Sequence, residues 1–274
     1  MNLSGNICKH CLLMVCLGLL SLQARANDFL KELTFKWRFE ATTKWVYRIK
    51  QTSNNQKFIL DENDVVTARS PIRIETLRGE YTIKSLSDGN AAGDLVLELE
   101  GITENDAIIP IPDAQKIPQR VARFRLAPNG AIEDFIGPKK ETYLISRLIL
   151  GLPIEPLQMQ QVRVYPFQLF TSGDMVRTRF TGTISHELAA IEPCNDAHCA
   201  KVITTIDIRD VTTDLDPIVV TWKGFLTSTF NLDEHRLETM AMELAVKTQY
   251  PKNKENKRNL LVEIYTIEVQ FLSK

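Results

Sequence analysis

The sequence predicts a mainly β protein, with antiparallel sheets forming an open barrel, half-barrel or sandwich, in two similar halves joined by one amphipathic helix. Three observations carry that expectation. Residues 33–49 alternate, with Leu33, Phe35, Trp37, Phe39, Ala41, Thr43, Trp45, Tyr47 and Ile49 at the odd positions and mostly charged or polar residues between them. Only an extended chain puts all those rings on one side, because successive side chains of a strand point to opposite faces. Similar alternating runs, divided by turn-forming clusters, fill most of the remaining chain, and a single segment shows helical spacing.

Taken in order, residues 1–26 read as an export signal. Lys9 supplies a positive flank, 12–22 is apolar, and Ala24-Arg25-Ala26 offers small residues at a cleavage site. The apolar run falls short of the roughly 20 residues of a membrane-spanning helix. An uncleaved anchor is one alternative. A lipoprotein is another, although Val15 stands before Cys16 where a small residue is needed. The reading places the mature start at Asn27, in an exported and periplasmic protein.

A β-rich half is then expected over 27–140. The long aromatic strand of 33–49 opens it. Ile72 and Ile74 alternate with charges, Tyr81 and Ile83 follow, and Leu95, Leu97 and Leu99 come after a hairpin turn at 88–94 that is rich in Gly, Asn and Asp. Phe124 and Leu126 lead into Pro128-Asn129-Gly130, a turn signal, and on to Ile132 and Phe135. Residues 141–158 form the connection. Within it Leu144, Ile145, Leu148, Ile149 and Leu152 repeat at helical spacing, and Gly151 and Pro153 end the helix. This helix is expected to plug or cover a sheet face. The second β-rich half, 159–274, holds strands over 162–170, 176–184, 202–208, 218–230, 237–246 and 261–272. The basic run 252–258 is a solvated hairpin tip between two of them.

The halves share an order of features. A hairpin turn at Asp88 and another at Cys194 lie 106 residues apart, as do the Phe-x-Leu pairs 124/126 and 230/232. That spacing suggests an internal repeat. Cys194 and Cys199 are the only cysteines outside the first 26 residues, and in an oxidising compartment they read as a disulfide. A metal reading would add Asp196 and His198, but zinc sites usually draw on two separated ligand pairs.

Charge excludes one class of partner. Loss of 1–26 removes two of 33 basic residues, leaving 31 against 34 acidic, net −3. A nucleic-acid binder needs a broad basic footprint, and this chain has none. No Gly-x-Ser-x-Gly, phosphate-cradling glycine loop or His-Glu-x-x-His is present. Asp233-Glu234-His235 and Ser172-Gly173-Asp174 fall in turns, where such residues are routine. His186, His198 and His235 are dispersed along the chain, and Glu98 and Glu100 share the solvent face of a strand. The residues therefore supply no catalytic, metal or cofactor motif.

A long aromatic strand, the Pro128-Asn129-Gly130 hairpin and a helix ending in Leu152-Pro153-x-x-Pro156-Leu157 resemble an uncharacterised group of secreted, β-rich bacterial proteins. Those place a Leu-Pro-x-x-Pro-hydrophobic segment between two β-halves, often followed by Gly and Trp; here Gln160, Gln161 and Tyr165 follow. The resemblance implies export and β-architecture, with no function attached.

Two function classes remain. In the first, the chain is a non-catalytic binding protein with a β-lined cavity for a lipid or lipidated partner. Its apolar ligand face would comprise Phe35, Trp37, Phe39, Trp45, Tyr47, Leu144 and Leu148. In the second, it is a structural or interaction module contacting other envelope proteins. An outer-membrane barrel is a lesser alternative, opposed by the helix stripe, the proline-rich stretch 108–118 and the missing terminal aromatic.

Overall fold

The computed structural model describes residues 32–137, 140–173, 176–212 and 218–273, so the export-signal reading of 1–26 lies outside the described residues. The N-terminal half contributes β1 (Lys44–Leu60), β2 (Val66–Arg69), β3 (Arg73–Ser85), β4 (Ala91–Glu104), β5 (Ala107–Ile108), β6 (Gln119–Leu126) and β7 (Ile132–Ile136). One helix, α1 (Lys140–Leu150), follows. The C-terminal half contributes β8 (Val162–Gly173), β9 (Val176–Cys194), β10 (Ala197–Thr212), β11 (Val219–Asn231), β12 (Arg236–Lys252) and β13 (Arg258–Ser273).

All pair antiparallel in one open 13-stranded sheet of order β7-β6-β4-β3-β1-β13-β12-β11-β10-β9-β8, with β2 beside β1 and β5 beside β4. The β1·β13 ladder, from Val46↔Ser273 to Leu60↔Arg258, fuses the two halves. Alternation explains the faces. In β1, Trp45, Tyr47 and Ile49 are buried while Lys44, Arg48 and Lys50 face water. Tyr47 sits opposite Tyr81 on one side and Phe271 on the other, and its ring meets that of Phe271 edge-on at 5.5 Å.

The helix stands where the sheet fails to close. It connects β7 to β8, the two edge strands, and touches both: the Tyr143 ring lies 4.9 Å from Phe135 of β7, and the Arg147 guanidinium lies 5.3 Å above the Phe167 ring of β8. Its stripe, Leu144, Ile145, Leu148 and Ile149, is buried against the inner face of the sheet. Ser146 is buried as well, hydrogen-bonded to the Tyr81 hydroxyl at 3.1 Å. One apolar core therefore runs from β4 and β6 through β1 and β13 to β8, with α1 inside the curl. Such an arrangement is an open barrel with a helix in its gap.

Two local expectations change. Residues 33–49 are not one strand: the chain turns at 40–43, where Thr43 N–H donates to Glu40 O at 3.0 Å and Thr42 takes a left-handed φ of 72°. The extended piece before the turn crosses the end of the barrel. Leu33 exchanges both backbone bonds with Leu157, and Trp37 N–H donates to Pro128 O at 2.7 Å. A two-residue period reports which face a side chain takes and says nothing of ladder partners, so Phe35 and Trp37 stay buried on the same side as Trp45 and Tyr47. The hairpin turn expected over 88–94 tightens to 86–90, closed by Leu86 N–H to Asn90 O at 2.7 Å, and Ala91 already belongs to β4. Gly93 serves packing instead of turning, because the Phe124 ring lies where its Cβ would be.

Other turns form as expected. Gly130 takes φ 81° in the turn before β7, where a side chain would strike the backbone of Leu152 just past α1. The tip between β12 and β13 closes with Asn253 N–H to Lys257 O at 2.8 Å. The Cys194–Cys199 disulfide is present across the β9–β10 turn, with Cα atoms 5.7 Å apart.

Candidate functional site

Beside α1, the seam against β8 opens into a cavity of about 340 Å³. Strand alternation builds one wall. Val162 and Val164 of β8 point outward, 55% and 64% exposed, which turns Tyr165 and Phe167 inward. Across the ladder Tyr165 faces Ile184 of β9, and His186 of β9 faces Thr204 of β10. Leu148 and Arg147 come from the last turns of α1. Leu152 and Ile154 come from the segment that leaves it, and Ile154, at 80% exposure, is an apolar rim.

Pro166, also lining the cavity, lies on the edge strand β8, the usual place for a strand proline. The α1 end is locked from behind. Trp37 Nε1–H donates to Leu150 O at 3.1 Å, inside the core.

The polar groups differ in state. His186 Nδ1 lies 2.8 Å from Thr204 Oγ1, and burial lowers its pKa to about 4, so the imidazole is neutral at pH 7. Burial, followed by the Glu155 carboxylate, raises the Tyr165 phenol, which stays protonated. Its ring tilts against His186 with centroids 5.6 Å apart. Next to the cavity, Arg163 is matched by Glu155 at 3.0 Å and Glu32 at 3.5 Å. Among the described residues Arg147 has no carboxylate within ion-pair distance and is the only ionised side chain in the cavity wall.

Behind this space lies a void of about 20 Å³, room for about one water. It shares Gly151, Leu152, His186 and Thr204 with the cavity and is backed by Phe35 and Trp37. The sequence-predicted face is thus distributed by depth. Leu148 lines the cavity itself, and Phe35 and Trp37 stand one layer behind it. Tyr47 and Leu144 are fully buried in the core. Phe39 packs on both Trp37 and Trp45, at 6.4 and 5.3 Å between centroids, and Trp45 also borders a polar hollow of about 180 Å³ with Arg38, Glu40 and Asp233.

Sequence reasoning missed Arg147, Phe167, Ile184 and Ile154. Arg147 is legible in hindsight as the one charge between the apolar turns of α1. The Asp233-Glu234-His235 turn meets the Cys194–Cys199 turn instead, where Asp233 Oδ2 accepts from His198 N–H at 2.9 Å. Ser172 and Gly173 end β8, and Asp174 lies outside the described residues. Among the described residues no three His, Cys, Asp or Glu side chains converge as a metal site.

No family model matches this chain, and no curated protein matches it. Its fold is similar to a solved structure titled for lipid–protein interactions in lipovitellin. The match has 13% identity and TM-score 0.43, and it covers 86% of this chain and 25% of that one. This chain thus spans about a quarter of that protein's length.

Proposed function

We propose that this is an exported, non-catalytic binding protein that holds one apolar or lipidated ligand in the seam between α1 and β8. The observation that carries the reading is the cavity itself. At about 340 Å³ it falls within the range of small-molecule sites, which run from ~300 to 1,000 Å³. Leu148, Leu152, Phe167 and Ile184 line it, a few polar groups converge on one side, and it opens past Ile154. An apolar wall with a small polar set is the usual composition of a ligand pocket. The test is native mass spectrometry with lipid extraction, on protein purified from its own host without detergent. A stoichiometric acyl chain is the expected result, lost in Leu152→Trp, which fills the cavity. A bare polypeptide mass from every preparation overturns the reading.

A second reading, an envelope interaction module, is favoured by the edge strand β8, which exposes Val162 and Val164 beside an unpaired edge among the described residues. Such an edge accepts an added strand from a partner. Crosslinking from position 164 to an envelope protein, with no lipid recovered, would favour it. An outer-membrane barrel turns apolar residues to lipid. Here the sheet is open, and its apolar residues face α1.

A further inference from the structure

We infer that the seam cavity selects a single-chain amphiphile with an anionic headgroup, and that Arg147 is the residue that reads the charge. This rests on the binding function proposed above and adds the class of ligand.

The two arginines at the seam make the argument by contrast. Arg163 has its charge cancelled by Glu155 and Glu32. Arg147, half-buried, faces no carboxylate among the described residues, and its guanidinium is held over the Phe167 ring at 5.3 Å. Stacking on an aromatic face fixes the plane of a guanidinium while leaving its edge N–H groups free to donate. Those edges form the fork that matches a carboxylate or phosphate with two parallel bonds.

The remaining wall agrees. Among the described residues no acidic side chain lines the cavity, so an entering anion meets no repulsion there, while a cation would meet Arg147 with nothing to pair it. Tyr165, His186 and Thr204 add neutral polar groups on the same side. Leu148, Leu152, Ile154 and Ile184 take the chain. The volume lies near the lower limit for ligand sites, which suits one acyl chain and excludes the two chains of a phospholipid.

The test compares ligands of equal length: dodecanoate, dodecyl phosphate, dodecanol and dodecyltrimethylammonium, each below its micelle concentration. They are titrated by calorimetry into lipid-stripped, full-length protein. The inference expects one site per chain, with at least one of the two anions bound tenfold more tightly than dodecanol and the cation bound weakest. The two anions distinguish a carboxylate from a phosphate headgroup. Arg147→Gln should erase the tenfold preference while dodecanol is still bound at one site per chain, and Arg147→Lys should restore part of it. Equal binding of anions and alcohol overturns the charge assignment and leaves the apolar cavity standing. An anion preference that survives in Arg147→Gln removes Arg147 from the role. No binding of any of the four overturns both this inference and the function beneath it.

Discussion

His186 ties the cavity to pH. Half-buried beside Thr204 and Tyr165, it prefers to stay neutral in the folded chain, with its pKa near 4 against about 6.5 when unfolded. Between those values the unfolded chain takes up a proton that the folded chain refuses. Stability is therefore whole above about pH 6.5 and falls as the pH drops toward 4, by on the order of 3 kcal/mol for this one group. Urea midpoints measured from pH 7 to 4.5 should decline in the native chain and flatten in His186→Gln; identical slopes would remove His186 as the cause. Trp37 is the other single residue with a wide reach. Its indole N–H holds the last carbonyl of the helix and its backbone N–H holds the β6–β7 turn. Trp37→Phe keeps most of the packing and loses the indole bond, an expected cost of about 1–2 kcal/mol read from the same urea midpoint.

At the scale of elements, α1 and the β9–β10 hairpin carry most of the specific information. The helix was legible in the sequence because Leu144, Ile145, Leu148 and Ile149 repeat at its period, and Gly151 donates to Arg147 O where the sequence ends it. Its place was not legible. Periodicity gives a buried stripe but not the two strands that flank it, and those depend on pairing between distant residues. The same limit explains 33–49, where one alternation covers two elements, and Gly93, read as a turn residue when it makes room for Phe124. The cavity stayed hidden because its walls come from α1, β8, β9 and β10, each ordinary in isolation. Leu144→Ala should cost about 3–5 kcal/mol, since the residue is fully buried between the helix and the sheet. The Cys194–Cys199 bridge closes so short a loop that replacing both cysteines by alanine should cost only about 2 kcal/mol. Intact mass before and after reduction checks the bond, and thermal unfolding checks its worth.

For the whole molecule, the decisive contact is β1 with β13. Because that ladder runs through the middle of the sheet and the main core spans both sides of it, neither half keeps a complete apolar interior; even the smaller cluster of Leu188, Ala200, Val202 and Phe230 is completed by Phe35 from the N-terminal half. Calorimetry should show a single transition in which the calorimetric and van't Hoff enthalpies agree. Residues 27–158 or 159–274 expressed alone should aggregate, each exposing a bare central strand as an edge. The strand order holds one more consequence. Read from β8 through β13, then on from β1 to β7, it follows the chain everywhere except at one place, where the last strand meets the first. A circular permutant with Ser273 linked to Glu32, and new ends opened between α1 and β8, would give every long strand its sequence neighbour as its ladder neighbour. Local pairing speeds folding. Such a chain should reach the same sheet faster than one in the natural order, where β1 pairs early with β3 while its other edge stays bare until β13 is made.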